Sequence, residues 1–292
     1  MGSKKNVTFV GLGTMGYPMA GHLSNSGLFN VCVFNRSLEK SAKWGGEYQG
    51  RVAQTIEEAV SDADVIITCT GRDEDMMEIV FSDDGMLPFL KSGSIFIDHT
   101  TTSCKLAKHL DESLKSKDIN FIDAPVSGGE AGAVNGVLSV MAGGDPAILE
   151  SCDSIMRTYS KSVTLMGEAG SGQLAKMVNQ ICIAGMVQGL SEAINFGINA
   201  KLNMKEVIEV ISKGAAQSWQ MENRHKTMID DKFDYGFAVD WMRKDLKIAM
   251  EEAKRNNSPL PITKIINEYY GEVQKMGGNR WDTSSLIKRF RK

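Results

Sequence analysis

Gly11, Gly13 and Gly16 stand at the spacing G-x-G-x-x-G within "NVTFVGLGTMGYPMAGHL", residues 6–23. Glycines so spaced allow a tight turn, let backbone approach a pyrophosphate and let a helix pack closely on a strand. The spacing alone also fits an ordinary glycine-rich turn, so its setting decides. The apolar run Val7–Val10 precedes it and a helical pattern holding Met19, Ala20 and Leu23 follows, the strand–turn–helix order the fingerprint requires. The stretch Gly11, Leu12, Gly13, Thr14, Met15, Gly16 then leads into a helix start, whose free N–H groups and dipole favour a diphosphate. About 20 residues on, an acid would accept the ribose 2′-hydroxyl of NAD. Here the second apolar run ends in Asn35, Arg36 and Ser37, with no acid. Arginine stays charged and binds phosphate through two donors, so a 2′-phosphate is expected, and with it NADP(H).

Two later segments carry further chemistry. In "DAPVSGG", residues 123–129, the backbone N–H groups of Ser127, Gly128 and Gly129 can form a concave site for a carboxylate. The serine hydroxyl adds a donor, and Asp123 reads as structural. In "GEAGSGQLAKMVNQ", residues 167–180, Lys176 and Asn179 fall on neighbouring turns of one helix face. A lysine inside so apolar a helix needs a chemical reason. His22, His99, His109 and His225 are scattered without ligand spacing, so no metal is expected.

The elements that must position these residues follow from periodicity. Runs at Val7–Val10, Val31–Phe34, Val65–Thr70, Ser94–Asp98, Asn120–Ala124 and Val137–Ala142 read as strands with helices between the earlier ones. That alternation predicts a parallel, doubly wound, Rossmann-type α/β sheet over residues 1–166. Residues 167–292 read as an all-α domain built on one long helix, Gly170–Ala200, apolar on nearly every face and therefore expected to be buried. Further helices are expected at Met204–Ser212, Met242–Arg255 and Ile262–Gln274.

In order along the chain, "FVGLGTMGYPMAGHL", "DAPVSGG", "GSGQLAKMVNQ" and "WMRKDLKIA" resemble the motifs of the β-hydroxyacid dehydrogenase family. The resemblance covers nearly the whole chain. That family includes 3-hydroxyisobutyrate dehydrogenases, tartronate semialdehyde reductases and glyoxylate/succinic semialdehyde reductases. The resemblance implies an NADP(H)-dependent oxidoreductase moving a hydride between the nicotinamide and a small 3-hydroxyacid or its semialdehyde or oxo acid. It makes Lys176 the catalytic lysine, Asn179 the residue orienting substrate, and Ser127, Gly128 and Gly129 the loop that holds the substrate carboxylate. Thr101 becomes the hydroxyl residue beside the nicotinamide, and Lys244 the lysine reaching the cofactor from the helical domain, with Asp245 in support. The family's second cofactor loop usually ends in an aliphatic–proline pair; Thr70 and Gly71 stand there instead, before the acidic "RDED", which leaves their contacts open. Imine reduction and a catalytically silent NADP-binding protein are the alternatives within the fold. Lys176 argues for a carbonyl substrate, and the retention of Lys176, Asn179 and the Ser127 loop argues for catalysis.

Composition sets the partners. A net charge of −3 over 292 residues without a cationic stripe gives nucleic acid nothing to hold, and the expected partner is a small anionic carbonyl or hydroxy acid. Five widely spaced cysteines suit a reducing compartment. "MGSKKN" leads to the first strand without an apolar signal segment, and Asn6 stands where a myristoylation motif takes Ser or Thr. The apolar stretches read as too short to span a membrane, so a cytoplasmic protein without membrane contact is expected. The long helix has more apolar face than one small domain can cover, so a homodimer or homotetramer is expected.

Overall fold

The computed structural model describes residues 4–291, so Met1–Ser3 of the N-terminal reading lie outside the described residues. The chain divides into two compact units, Met1–Lys176 and Met177–Lys292.

Among the described residues the first unit carries nine strands: β1 Asn6–Val10, β2 Asn30–Phe34, β3 Arg51–Val52, β4 Val65–Thr68, β5 Ile95–Asp98, β6 Asn120–Asp123, β7 Val126–Ser127, β8 Leu138–Gly144 and β9 Ser160–Gly167. Between them run α1 Gly16–Ser26, α2 Leu38–Glu47, α3 Ile56–Val60, α4 Asp73–Phe81, α5 Cys104–Lys115, α6 Gly129–Val134 and α7 Pro146–Met156. Six strands pair in parallel in the order β3-β2-β1-β4-β5-β6. Both faces are covered, because alternate residues enter different cores: Val7 and Phe9 of β1 join one cluster and Val10 the other, while Ile67 and Ile66 of β4 divide the same way. The order reverses between β1 and β4, and the crevice beyond the strand ends at such a switch point is where this architecture holds ligands.

The sequence reading expects a parallel sheet, and the structure corrects this: the sheet is mixed. β8 runs antiparallel to β6, through Ile122↔Gly144 and Asp123↔Gly143, and antiparallel to β7, through Val126↔Val140 and Ser127↔Ser139. Ala124 and Pro125 therefore carry the chain from β6 into β7 without reversing it. The link from β7 to β8 is shorter than the dozen or so residues a parallel crossover takes, so the chain comes straight back. β9 then pairs in parallel with the free side of β8.

The long helix, α8, spans Ser171–Asn199 and crosses the boundary between the units. Two expectations about it need correction. By length and composition it is long and apolar enough to cross a membrane, since Lys176 and Glu192 are its only charged residues. It is also buried on one side only: Ala184, Val187 and Ile194 are fully enclosed, whereas Val178 and Phe196 are 63% and 73% exposed. The second unit continues with α9 Met204–Ile211, α10 Trp219–Ile229, α11 Val239–Arg255, α12 Pro261–Lys275 and a 3-10 segment, Thr283–Phe290. Its core joins Val187 of α8 to Val239, Met242 and Leu246 of α11 and Ile266 and Tyr270 of α12. A second cluster joins Leu190 and Ile194 to Ile208, Met221 and Met228.

Candidate active site

The glycine fingerprint sorts into two kinds of residue. Gly11 has φ +100°, and a Cβ there would collide with the Cys69 carbonyl oxygen at the end of β4. At Gly16 a Cβ would collide with the Gly11 carbonyl oxygen and lie 2.9 Å from Phe9 Cε1. Both glycines are therefore required by the chain's own packing. Gly13 is exposed, has no positive φ, and a Cβ there would meet nothing within 4 Å. Its glycine leaves room for something other than protein. The start of α1 agrees: it has no side-chain cap and no acid in its first turn, whereas Thr55, Ser103 and Asp145 cap α3, α5 and α7. Open space at Gly13 and an uncapped helix start fit a dinucleotide diphosphate, with Thr14 and Met15 lying between Gly13 and Gly16.

The β2 turn is tied to this loop. Gly11 N donates to Phe34 O at 3.0 Å; Leu12 N donates to Asn35 Oδ1 at 2.9 Å, and Asn35 Nδ2 donates to Ser37 O at 3.1 Å. Asn35 thus fixes the turn on which Arg36 stands. The Arg36 side chain is 86% exposed and lies 3.9 Å from Glu78 of α4, a separation at which an exposed pair holds a side chain weakly. On the other side of the switch point, Thr70 N donates to Thr100 Oγ1 at 2.9 Å and Thr100 N donates to Asp98 Oδ1 at 2.9 Å. Thr68 Oγ1 donates to that same Asp98 oxygen at 2.8 Å. The loops after β4 and β5, with Thr70, Gly71 and Thr101, are therefore one hydrogen-bonded unit, and Thr70 and Gly71 acquire a framework in place of the family's aliphatic–proline pair.

The "DAPVSGG" segment follows β6. Ser127 ends β7, and Gly128 and Gly129 have φ +134° and +61°, conformations that L side chains rarely adopt. Lys176, on α8, is nearly buried, and its Nζ donates to Val126 O at 2.8 Å, one residue before Ser127. The lysine and the Ser127–Gly129 loop, 47 or more residues apart in sequence, are thus brought together. Asn179 and Lys244 belong to the second unit. There Asn179 Nδ2 donates to Gln180 Oε1 at 2.7 Å, Gln180 Nε2 donates to Asp245 Oδ2 at 2.6 Å, and Lys244 Nζ lies 3.2 Å from Asp245 Oδ1. Asp245 therefore supports Lys244, and Gln180 links both to Asn179.

Three buried residues that sequence reasoning left without a site role organise this region. Asp123 accepts from Gly170 N at 2.7 Å and Gln173 N at 2.9 Å, capping α8. Burial pushes its carboxyl up to about 7, while those two N–H donors pull it back. His99 is fully buried and pushed down to about 4 by that burial. It is neutral: Nδ1–H donates to Ala124 O, since a carbonyl can only accept, and Nε2 accepts from Tyr159 at 2.9 Å. Gln173 is enclosed as well. Its position inside "GSGQLAKMVNQ", between the glycines and the lysine, was the available signal.

Comparison with known proteins joins these observations. Residues 6–167 match the NAD-binding domain of 6-phosphogluconate dehydrogenase, and residues 170–290 match the NAD-binding domain of NADP-dependent 3-hydroxyisobutyrate dehydrogenase. An uncharacterized oxidoreductase of Shewanella frigidimarina is 51% identical over 286 residues, covering 98% of each chain. The 2-hydroxy-3-oxopropionate reductase of Escherichia coli is 30% identical, covering 96% of this chain and 94% of that one. The solved structure of Mycobacterium tuberculosis 3-hydroxyisobutyrate dehydrogenase with L-serine has a TM-score of 0.88 at 26% identity, covering 99% of this chain and 100% of that one. Both halves of the chain thus match domains that bind a nicotinamide dinucleotide, and the chain belongs to the β-hydroxyacid dehydrogenase family of oxidoreductases.

Proposed function

We propose that the protein is an NADP(H)-dependent oxidoreductase acting reversibly on a small 3-hydroxyacid and its semialdehyde or oxo acid, with Lys176 as the proton donor in the direction of reduction. One observation carries this reading: a nearly buried lysine ammonium held 2.8 Å from the Val126 carbonyl, beside the Ser127–Gly128–Gly129 turn. NADPH supplies the hydride when bound. The turn's backbone N–H groups and the Ser127 hydroxyl hold the substrate carboxylate. Lys176 Nζ exchanges its bond to Val126 O for one to the substrate oxygen, stabilises the charge developing there and passes a proton to it. In oxidation the same Nζ accepts the proton, so that direction speeds up as pH rises. Asn179, one turn along α8, steadies the substrate oxygen. The exposed Arg36 takes the 2′-phosphate. Beyond the site, five free thiols support a reducing, cytoplasmic compartment, and the exposed apolar positions of α8 support self-association with a second copy of this chain.

The test is turnover of glyoxylate, succinic semialdehyde, tartronate semialdehyde and methylmalonate semialdehyde with NADPH, in wild type and Lys176→Ala. Loss of a positioned general acid lowers kcat by about 10²- to 10⁴-fold, with NADPH affinity by fluorescence titration unchanged. A variant keeping more than about a tenth of the wild-type kcat would make Lys176 a binding residue and leave the proton to water.

A further inference from the structure

Gln173 sits one turn before Lys176 on α8 and is completely buried. Its side-chain amide makes a peptide-like pair with the loop after β5. Oε1 accepts from Thr102 N at 3.0 Å and Nε2 donates to Thr100 O at 2.8 Å. The two bonds bracket Thr101. The residue's own backbone N–H is taken by Asp123 Oδ2 at 2.9 Å, while Asp123 Oδ1 takes Gly170 N. Around that carboxylate there is no slack. A Cβ at Gly143 would lie 2.5 Å from Asp123 Oδ1, and one at Gly172 would lie 2.7 Å from the Asp123 carbonyl oxygen. The helix start is therefore packed closely around Asp123, and the Gln173 side chain reaches from it to the β5 loop.

We infer that Gln173 is a positioning residue of the reaction: its amide locks the Thr100–Thr102 backbone to the first turn of α8 and so sets where Lys176 stands relative to Thr101. The inference rests on the reading of Lys176 as proton donor. Packing alone does not explain the side chain. An apolar residue of equal volume would fill the space, whereas an amide oriented by one donor and one acceptor fixes both sliding and rotation of the loop on the helix. Geometry held to a fraction of an ångström is where a reaction of this kind is sensitive.

The experiment compares Gln173→Leu, Gln173→Glu, Lys176→Ala and the double variant Gln173→Leu/Lys176→Ala, using the best substrate of the panel with NADPH. Measured for each are kcat, KM, NADPH affinity and Tm. Gln173→Leu is expected to lower kcat about 10- to 100-fold at temperatures well below its Tm, with KM and NADPH affinity within about twofold. In the Lys176→Ala background the same substitution is expected to cost less than about twofold, because residues acting through one another are not additive. Gln173→Glu carries the sharper signature. Its protonated acid can donate to Thr100 O as the amide does, and its carboxylate cannot, so its kcat relative to wild type is expected to rise as pH falls from 8 to 6. If Gln173→Leu does not fold, Gln173→Met replaces it. A kcat within about twofold of wild type, or equal losses in both backgrounds, overturns the proposal. Retention of kcat by Lys176→Ala alone overturns instead the reading of the lysine, so the two failures are distinguishable.

Discussion

At the scale of single residues, the side chains divide into those that the chain itself holds and those it leaves to a ligand. Asn35 belongs to the first kind, since both ends of its amide are engaged by backbone. Arg36 belongs to the second: its side chain is 86% exposed, with a long 3.9 Å contact to Glu78. A charge-assisted contact to a 2′-phosphate contributes about 1.5–3 kcal/mol, so Arg36→Ala should weaken NADPH by roughly 10- to 150-fold and leave NADH nearly unchanged. Specificity should collapse, and not invert. Equal wild-type kcat/KM for NADPH and NADH would rule out Arg36 as the reader of that phosphate. The absence of an acid after β2 was legible in "VFNRS", because readout there depends on one side chain at one place. The pairing of Thr70 with Thr100 was not, because the partners lie 30 residues apart and nothing local marks them. The same holds for Lys176 and Val126: each sits in a motif, while the bond between them belongs to the fold.

At the scale of elements, the ends of β5 and β6 are joined by two buried groups whose titrations oppose each other. Asp123 has its pKa raised from 3.8 to about 7 by burial, so the folded state binds a proton more readily than the unfolded one. Its contribution to stability is complete below about 3.8 and is lost as pH rises through 7. His99 is lowered from 6.5 to about 4 by burial, so its contribution is complete above 6.5 and is lost as pH falls through 4. Between pH 4 and 6.5 the two slopes offset. Removing one group exposes the other: the Tm deficit of Asp123→Asn relative to wild type should shrink steadily from pH 5 to 7. A deficit independent of pH across that range would show that Asp123 does not titrate there. Elements with strong apolar runs, such as β1, β4 and β5, could be read directly from sequence. β3 and β7 have two residues each, too few for any period to register. β9 opens on three polar residues, Ser160, Lys161 and Ser162, and holds no regular alternation, while α10 buries only Gln220, Met221 and Met228 of its eleven residues, too sparse a stripe to stand out. The direction of β8 depends on the length of the connection before it, which a strand pattern does not encode.

At the scale of the whole molecule, α8 leaves Val178, Met186, Phe196 and Ile198 in water along with Leu202 just beyond its end. Large apolar side chains left exposed along one helix suit an interface, and closed pairing of identical copies is the simplest way to cover them. Light scattering at micromolar concentration should therefore give at least twice the 31.9 kDa chain mass, and Phe196→Glu should lower it. A wild-type mass near that of one chain would remove the self-association proposal. The glycine loop has a different consequence, for how this chain tolerates mutation in a living cell. Because the molecule itself demands glycine at positions 11 and 16, substitutions there should reduce its abundance and its activity together. Position 13 has open space and an ordinary backbone conformation, so Gly13→Ala should raise stability by about 0.4–1 kcal/mol through the unfolded state while crowding the cofactor. A screen for cellular abundance would score alanine at 13 as neutral or better, and a screen for activity would score it as damaging; parallel losses in both would mean that the loop needs this glycine for its own folding.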